Sequence, residues 1–365
     1  MRVNAKIQGI KYKIYCAPDL NEVTFNEFDI NSTPSCFSLS DKKYNYGISK
    51  WVSPKRTRSY PYERIYNTLN MPKRITVIPI IKDEGVKGDR DYIQWDTVSL
   101  MSLLDVYVIF AYYNDASINP RKQNKITNQK FDNTYIKNKI IEISNYHSSA
   151  LHWNLKETQD TLPSIIELVQ ENYNRLSKKL NIPFHNPKGI EIFKEQFQKD
   201  ITDFMNTSRK KANEAQNREL LTHQPKEFLS TSSKATITIE NYLGGKYYFT
   251  ADEISTLNNK LQLIEGKHST NYKLPGRGDI KDGLLKMILY SNLNNVKIND
   301  INFIPQPLLK LTSNKISGQI SSHSSISEIE KFKSFAGLNK KNIEFIDKLF
   351  LEANDNNFEI IIQGV

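Results

Sequence analysis

The sequence lacks the features that mark membrane-spanning and disulfide-stabilised proteins. No apolar run approaches the roughly 18 residues that span a bilayer, and charged residues interrupt the first apolar stretch. We therefore expect neither a membrane span nor a signal peptide. The only cysteines, Cys16 and Cys36, form no metal-binding spacing and no disulfide framework, which suits a reducing cytoplasm. No internal repeat is visible, so a repeat architecture is not expected.

The composition is that of a globular protein with a basic excess. Hydrophobic residues make up 38% and charged residues 25% of the 365 positions, unlike a disordered chain. This length indicates two domains or one large one. Lys and Arg number 50 against 40 Asp and Glu, which gives a net charge of +10. That excess favours a polyanionic partner such as nucleic acid, although a basic protein without such a partner can have the same balance.

The first half of the chain has an α/β pattern. The β-branched runs at 74–81 and 106–113 predict buried strands, and a helix is expected between them at 95–104. Such a strand–helix–strand unit favours parallel pairing. The middle of the chain is helical, with apolar spacing of three and four residues over 134–145, 158–180 and 188–222.

In the second half of the chain, apolar residues recur at every second position. Strands are predicted at 235–241, 246–254 and 260–268, with turns at Gly244-Gly245 and Leu257-Asn258-Asn259. An amphipathic helix then begins with Asp279 as its expected N-cap, and strand near 296–312, two helices and a last strand follow. We predict a central mixed β-sheet flanked by helices. The predicted division falls at residue 187, between an N-terminal region, 1–187, and a C-terminal region, 188–365.

The most informative segment is 246–290, where two neighbouring strands each end in acidic residues. The first ends at Asp252 and Glu253, and the second ends Glu265-Gly266-Lys267. Residues two apart on a strand face the same side, so Glu265 and Lys267 point together. If the hairpin pairs about its Asn-rich turn, Asp252 comes level with them. One sheet edge then presents two carboxylates and one ammonium.

This grouping suits hydrolysis of a phosphodiester. Two carboxylate oxygens from separate strands can hold Mg²⁺ while several waters stay bound. The ion polarises the phosphodiester and lowers the pKa of an attacking water. The Lys267 ammonium can orient that water or offset charge on the phosphorus. An exposed hairpin with a structural Glu–Lys ion pair has the same residues and remains an alternative.

The ordered set of acidic strand end, hairpin, apolar strand, Glu265-Gly266-Lys267 and helix resembles the PD-(D/E)XK nuclease superfamily. Within that superfamily, the chain is most similar in kind to type II restriction endonucleases. The resemblance implies that Asp252 and Glu265 are metal ligands and that Lys267 is the motif lysine. Ala251 stands where the motif has proline.

The same resemblance implies the rest of the function. It implies a restriction-endonuclease-like core, Mg²⁺-dependent cutting of double-stranded DNA at a short sequence to leave a 5′-phosphate, and a homodimer. We therefore assign residues 188–365 to the nuclease core and residues 1–187 to DNA recognition and packing. A cognate DNA methyltransferase would act on the same site without a stable complex. A superfamily nuclease that recognises DNA structure during repair or junction resolution remains open, as does a DNA-binding protein without catalysis.

Several residues near the motif have two interpretations. The resemblance implies an acidic residue on a preceding helix, and Glu214 or Glu219 can fill that place or lie on a solvated helix face. Glu253 is a rival for Asp252, but its side chain should face the other way. His268 follows the motif and can contact phosphate or be a surface imidazole.

The predicted DNA contacts lie in two places. Within residues 50–74, basic side chains alternate with Trp51, Tyr60 and Tyr62, a pattern that favours contact with bases and backbone. Two further cations follow the motif, where DNA backbone would pass. The predicted DNA-binding residues are Lys55, Arg56, Arg58, Arg64, Lys273 and Arg277. Solvated basic loops are the alternative for both segments.

An acidic segment at 83–96 is a competing metal site. It contains Asp83, Glu84, Asp89, Asp91 and Asp96 between the two apolar strands. The strand at 106–113 has no acidic or lysine side chain of the kind that a catalytic strand would need. A connecting segment whose aspartates stand at a helix start is therefore the favoured interpretation.

Overall fold

The computed structural model describes residues 1–40, 45–55, 61–199, 204–208, 210, 214, 235–241 and 246–365. The chain forms two compact units. Asp19–Lys210 make the inserted unit, and Met1–Pro18 together with Lys211–Val365 make the terminal unit. Both units combine helices with mixed sheets, so the predicted α/β class is confirmed. Every helix in the described ranges is too short or too polar to cross a membrane.

The elements are numbered in chain order. The strands are β1 (Arg2–Ile7), β2 (Glu22–Thr24), β3 (Cys36–Ser40), β4 (Asn45–Lys50), β5 (Lys73–Pro79), β6 (Ile81–Asp83), β7 (Arg90–Tyr92), β8 (Val106–Ala111), β9 (Tyr113–Ile118), β10 (Ile126–Phe131), β11 (Ala235–Asn241), β12 (Lys246–Ala251), β13 (Glu253–Leu257), β14 (Lys260–Ser269), β15 (Asn294–Ile298), β16 (Ile301–Ser313), β17 (Gln319–Ser321) and β18 (Glu359–Gly364). The helices are α1 (Pro61–Tyr66), α2 (Trp95–Leu103), α3 (Asn133–Ser144), α4 (Ala150–Lys156), α5 (Leu162–Leu180), α6 (Lys188–Lys199), α7 (Arg277–Ser291), α8 (Ile326–Phe335) and α9 (Lys340–Asp355), and a π-helical turn (Glu157–Thr161) joins α4 to α5.

The inserted unit is built on a sheet in the order β2-β3-β4-β5-β8. Strands β4, β5 and β8 run parallel, and α2 connects β5 to β8, as the apolar runs predicted. All six residues of β8 are buried, because the neighbouring strand β5 and the helices α2 to α5 pack against the apolar run.

The terminal unit is built on a larger mixed sheet in the order β12-β11-β1-β15-β16-β14-β13. Strand β18 also pairs with β16, and β17 pairs with β18. Strands β14, β16 and β18 are parallel, so their carboxyl ends meet at one edge of the sheet. The Glu265-Gly266-Lys267 segment lies near this edge, in the second half of β14.

The units do not follow the predicted division at residue 187. Strand β1 lies in the terminal unit, between β11 and β15, and α6 lies in the inserted unit. The alternating burial of β1 shows a strand with one covered face. A local pattern of this kind cannot reveal that the partner strand comes much later in the chain.

Helix α7 packs against β14 and β16 through the apolar face that the sequence predicted. A Cβ at Gly283 would stand 2.7 Å from Leu309 Cδ1, so glycine permits this close approach. The expected N-cap was wrong. Gly276 has the extended backbone of an N-cap, and the helix therefore begins at Arg277, which places Asp279 in the first turn.

Candidate active site

The β13–β14 hairpin brings the three predicted catalytic residues to one place. Asn258 and Asn259 form the turn with φ values of 47° and 63°, a conformation that asparagine tolerates in two-residue hairpins. The resulting register pairs Glu253 with Ile264, and the Asp252 amide donates to the Ile264 carbonyl at 3.1 Å. Asp252 is therefore level with the start of the Glu265-Gly266-Lys267 segment, as predicted.

Asp252 accepts a hydrogen bond from the Gly266 amide at 2.8 Å. The residue is exposed as a whole. Desolvation of its carboxylate and the negative charge of Glu265 raise the pKa of Asp252 to about 6, against the opposing effect of Lys286. A carboxylate with so high a pKa is poorly compensated by the protein, which is the condition in which a cation binds well.

Glu265 is the buried centre of the site, with 2% of its surface exposed. Its Oε1 accepts from Lys286 Nζ at 2.8 Å and from Lys267 Nζ at 3.0 Å. Burial alone would raise its pKa, but the two ammonium groups lower the pKa of Glu265 below its ordinary value. Its other oxygen, Oε2, is buried and has no hydrogen-bond partner. One oxygen of the carboxylate is thus fixed by the protein, and the hydrogen-bonding capacity of the other is unused in the described contacts.

Helix α7 adds two residues that sequence reasoning missed. Asp282 Oδ2 accepts from Lys267 Nζ at 3.2 Å, and Lys286 binds Glu265 one helical turn further on. Burial opposes protonation of Lys286, but the charge of Glu265 raises its pKa well above the ordinary value. The four-residue spacing of Asp282 and Lys286 was visible in the sequence. Their position over the hairpin depends on the close packing at Gly283.

The donor set fits a magnesium ion with two protein ligands. Asp252 supplies a carboxylate with a raised pKa, and Glu265 supplies the unpartnered Oε2. Mg²⁺ commonly binds to one or two carboxylates and keeps water or substrate oxygens as its other ligands. In the described part of the chain, no group of three or more His, Cys, Asp or Glu side chains is placed to hold a metal. Glu214 is an exposed helical residue, and Glu219 lies outside the described residues.

The cations predicted to contact DNA after the motif are anchored to the protein. Lys273 Nζ donates to the carbonyls of Ala336, at 2.8 Å, and Gly337. The guanidinium of Arg277 lies 3.4 Å from the centre of the Phe345 ring and donates to Asn342 Oδ1 at 2.8 Å. Both side chains hold the loop after β14 against α8 and α9. His268, beside the motif, pairs with Thr312 Oγ1 at 2.9 Å.

The predicted recognition segment of the inserted unit is only partly available to a ligand. Lys55 is exposed, and Arg56 and Arg58 lie outside the described residues. The Arg64 guanidinium donates to the Lys50 carbonyl, and burial lowers the pKa of Arg64. Of the interleaved aromatic residues, Trp51 and Tyr62 are 1% and 7% exposed, so they belong to the core rather than to a binding loop, and Tyr60 is not among the described residues.

Two acidic residues of the competing segment are paired with basic side chains of their own unit. Asp83 is paired with Arg90 Nε at 2.9 Å and with His185 Nδ1 at 2.8 Å. Glu84 binds Lys82 and Lys125, and these cations lower the pKa of Glu84 to about 2 even though burial opposes the shift. The described contacts of Asp83 and Glu84 are therefore those of a structural connector.

Comparison with known proteins adds no family to this geometry. No protein-family model matches the chain, and neither a curated protein nor a solved structure matches it. The candidate site therefore rests on its own residues.

The raised pKa of Asp252 leads to a testable prediction about the stability of the protein. Because the folded state raises the pKa of Asp252 from 3.8 to about 6, it holds this proton more tightly than the unfolded chain. The stability contributed at this residue therefore falls as the pH rises from about 4 to 6. We expect Asp252→Asn to raise the melting temperature of metal-free protein at pH 8, with a smaller gain at pH 4.

The control for this measurement is Glu344→Gln, which removes a charge from an exposed position in the same unit. It should leave the melting temperature nearly unchanged at both pH values. A lower melting temperature for Asp252→Asn at pH 8 would contradict the charge balance described for the site.

Proposed function

We propose that this protein is a Mg²⁺-dependent endonuclease that hydrolyses phosphodiester bonds in double-stranded DNA at a specific sequence. The observation that carries the proposal is the buried Glu265 carboxylate, with one oxygen held by two ammonium groups and the other unpartnered, level with Asp252, which directly precedes β13. Glu157, paired with Lys139 in the inserted unit, also has a buried Oε2 without a partner, so the feature that distinguishes Glu265 is the second carboxylate, Asp252, which lies level with it.

The order of elements supports a PD-(D/E)XK-like core of the restriction-endonuclease type. The hairpin β13–β14 is followed by α7, and the next long strand, β16, runs parallel to β14. This order agrees with what the sequence resemblance implies. The net charge of +10 suits a DNA substrate. A homodimer that cuts both strands and a methyltransferase that protects the same site are part of the proposal.

Each side chain has a role in the proposed reaction. Asp252 and Glu265 would hold the ion, and Mg²⁺ would polarise the phosphodiester and acidify an attacking water. Lys286 and Lys267 fix Glu265 in one orientation through its Oε1. Lys267, which is also held by Asp282, places an ammonium beside the position of the phosphate, where it offsets developing negative charge.

Digestion of phage DNA tests the proposed function. Purified protein should produce discrete fragments with Mg²⁺, because the proposed reaction needs both the ion and a recognition sequence. EDTA should abolish cutting. A continuous smear would favour a nuclease that recognises DNA structure or lacks sequence specificity. Binding without cutting at any divalent metal concentration would favour the non-catalytic DNA-binding alternative and overturn the proposed activity.

A further inference from the structure

A cavity of about 630 Å³ opens in the terminal unit where β14 and β16 end. It is lined by residues 271–277 of the loop after β14, by Lys315 after β16, and by the start of α9. Ser269 and Ser313 pair at the ends of these two parallel strands. Crevices at the carboxyl ends of parallel strands are the usual ligand sites of open α/β sheets.

The cavity lies close to the candidate active site along the same strand. Lys267 is two residues before Ser269, the last residue of β14, which corresponds to about 7 Å along a strand. The loop that lines the cavity begins immediately afterwards. A ligand in the cavity would therefore adjoin the hairpin that carries Glu265.

The charges at the cavity favour an anion. Lys273, Arg277 and Lys315 contribute three cations, and the described residues that line it include no aspartate or glutamate. Lys273 uses two carbonyl acceptors, and an ammonium has a third hydrogen to donate. Arg277 Nη1 is buried without a hydrogen-bond partner. Lys273 and Arg277 are thus held in place before a ligand arrives. Lys315 is exposed.

The backbone at the cavity adds to this preference. Helices α7 and α9 both begin there, after Gly276 and Asn339. The N-terminus of a helix carries partial positive charge and free amide groups. Asp279, in the first turn of α7, offsets part of that charge near Gly276.

The size of the cavity and one aromatic side chain indicate more than a simple anion. A volume of 630 Å³ lies within the range of sites for organic ligands. Tyr272 lines the cavity and is 75% exposed, so its ring is available for stacking. A flat base on this ring and a phosphate near the three cations would use both features.

We propose that this cavity binds a phosphate-bearing nucleotide unit, with Tyr272 against the base and Lys273, Arg277 and Lys315 around the phosphate. The unit can come from a DNA strand or from a free nucleotide. The DNA source rests on the proposed function, whereas the anion chemistry rests on the cavity. Arg277 and Lys273 thus have a double role, as loop anchors and as ligand groups.

The test is binding by the full chain in EDTA, so that no DNA is cut. The probes are inorganic phosphate, the four deoxynucleoside 5′-monophosphates and a short single-stranded oligodeoxynucleotide. Tyr272→Ala should weaken nucleotide or oligonucleotide binding by roughly five- to a hundredfold and leave phosphate binding unchanged. Lys315→Ala should weaken the binding of every probe that binds the wild type. It should also lower the salt dependence of oligonucleotide binding by about one ion. Both side chains are exposed, so these variants should fold.

Lys331→Ala is the matched control, since Lys331 is also exposed and the substitution removes a charge from α8 outside the cavity. It should leave binding unchanged. Sensitivity of the monophosphates to both cavity variants would identify a free nucleotide as a ligand, and sensitivity of the oligonucleotide alone would identify a strand. If Tyr272→Ala and Lys315→Ala bind every probe as the wild type does, the proposal fails. Cutting is measured in a separate experiment, so failure of the nucleotide-binding proposal and failure of the proposed nuclease activity can be told apart.

Discussion

Glu265→Gln is expected to abolish DNA cutting and to destabilise the protein by about 3 kcal/mol. The substitution removes the negative charge that Lys267 and Lys286 share at Oε1, and leaves two largely buried ammonium groups without their common partner. It also removes a metal ligand, so the loss of cutting should exceed the loss expected from partial unfolding. Chemical denaturation of metal-free protein and plasmid cleavage at a temperature where the variant is folded measure the two effects.

The control separates the buried charge from the general effect of a Glu→Gln change. Glu344→Gln affects an exposed residue whose nearest lysine nitrogen is 4.0 Å away. It should change stability by less than about 0.5 kcal/mol and leave cutting intact. Wild-type cutting by folded Glu265→Gln would show that Glu265 is not a metal ligand.

Lys267→Met is expected to lower the cutting rate by a hundredfold or more while DNA binding in EDTA is retained. Methionine keeps most of the side-chain volume but removes the ammonium that lies between Glu265 and Asp282. Because Lys267 is proposed to act on the phosphate during the reaction, the change should appear in kcat under saturating Mg²⁺. Single-turnover cleavage over a range of Mg²⁺ concentrations measures this.

Lys286→Met is the matched comparison, because Lys286 acts through Glu265. Removal of this positive charge makes the net charge around Asp252 and Glu265 more negative. Half-maximal cutting should therefore need less Mg²⁺. A purely structural lysine would change stability without moving the Mg²⁺ dependence. Equal effects of both variants on kcat, with no shift in Mg²⁺ dependence, would contradict the separate roles.

The hairpin could be predicted from sequence because its determinants are local. The alternating strand, the two asparagines and the two-residue spacing of Glu265 and Lys267 fix which side chains meet. The strand–helix–strand unit around α2 was predicted for the same reason, since continuous apolar runs indicate buried parallel strands.

The missed features depend on contacts between distant parts of the chain. Lys286 joins the site only because α7 approaches the sheet at Gly283. Arg277 is an anchor because Phe345, on a helix much later in the chain, supplies the ring beneath it. Trp51 and Tyr62 were read as parts of a binding loop because their burial is decided by tertiary packing rather than by neighbouring residues.

The most direct test is cleavage of a supercoiled plasmid by the wild type and by Asp252→Asn, side by side at pH 8 with Mg²⁺. Asp252 is the residue whose substitution by asparagine should remove activity and raise stability. We expect the wild type to cut the plasmid, and the variant to be inactive although, in the absence of metal, it melts at a higher temperature than the wild type. A catalytic metal ligand explains that combination, whereas misfolding does not. Equal cutting by the two proteins would contradict the assignment of this site.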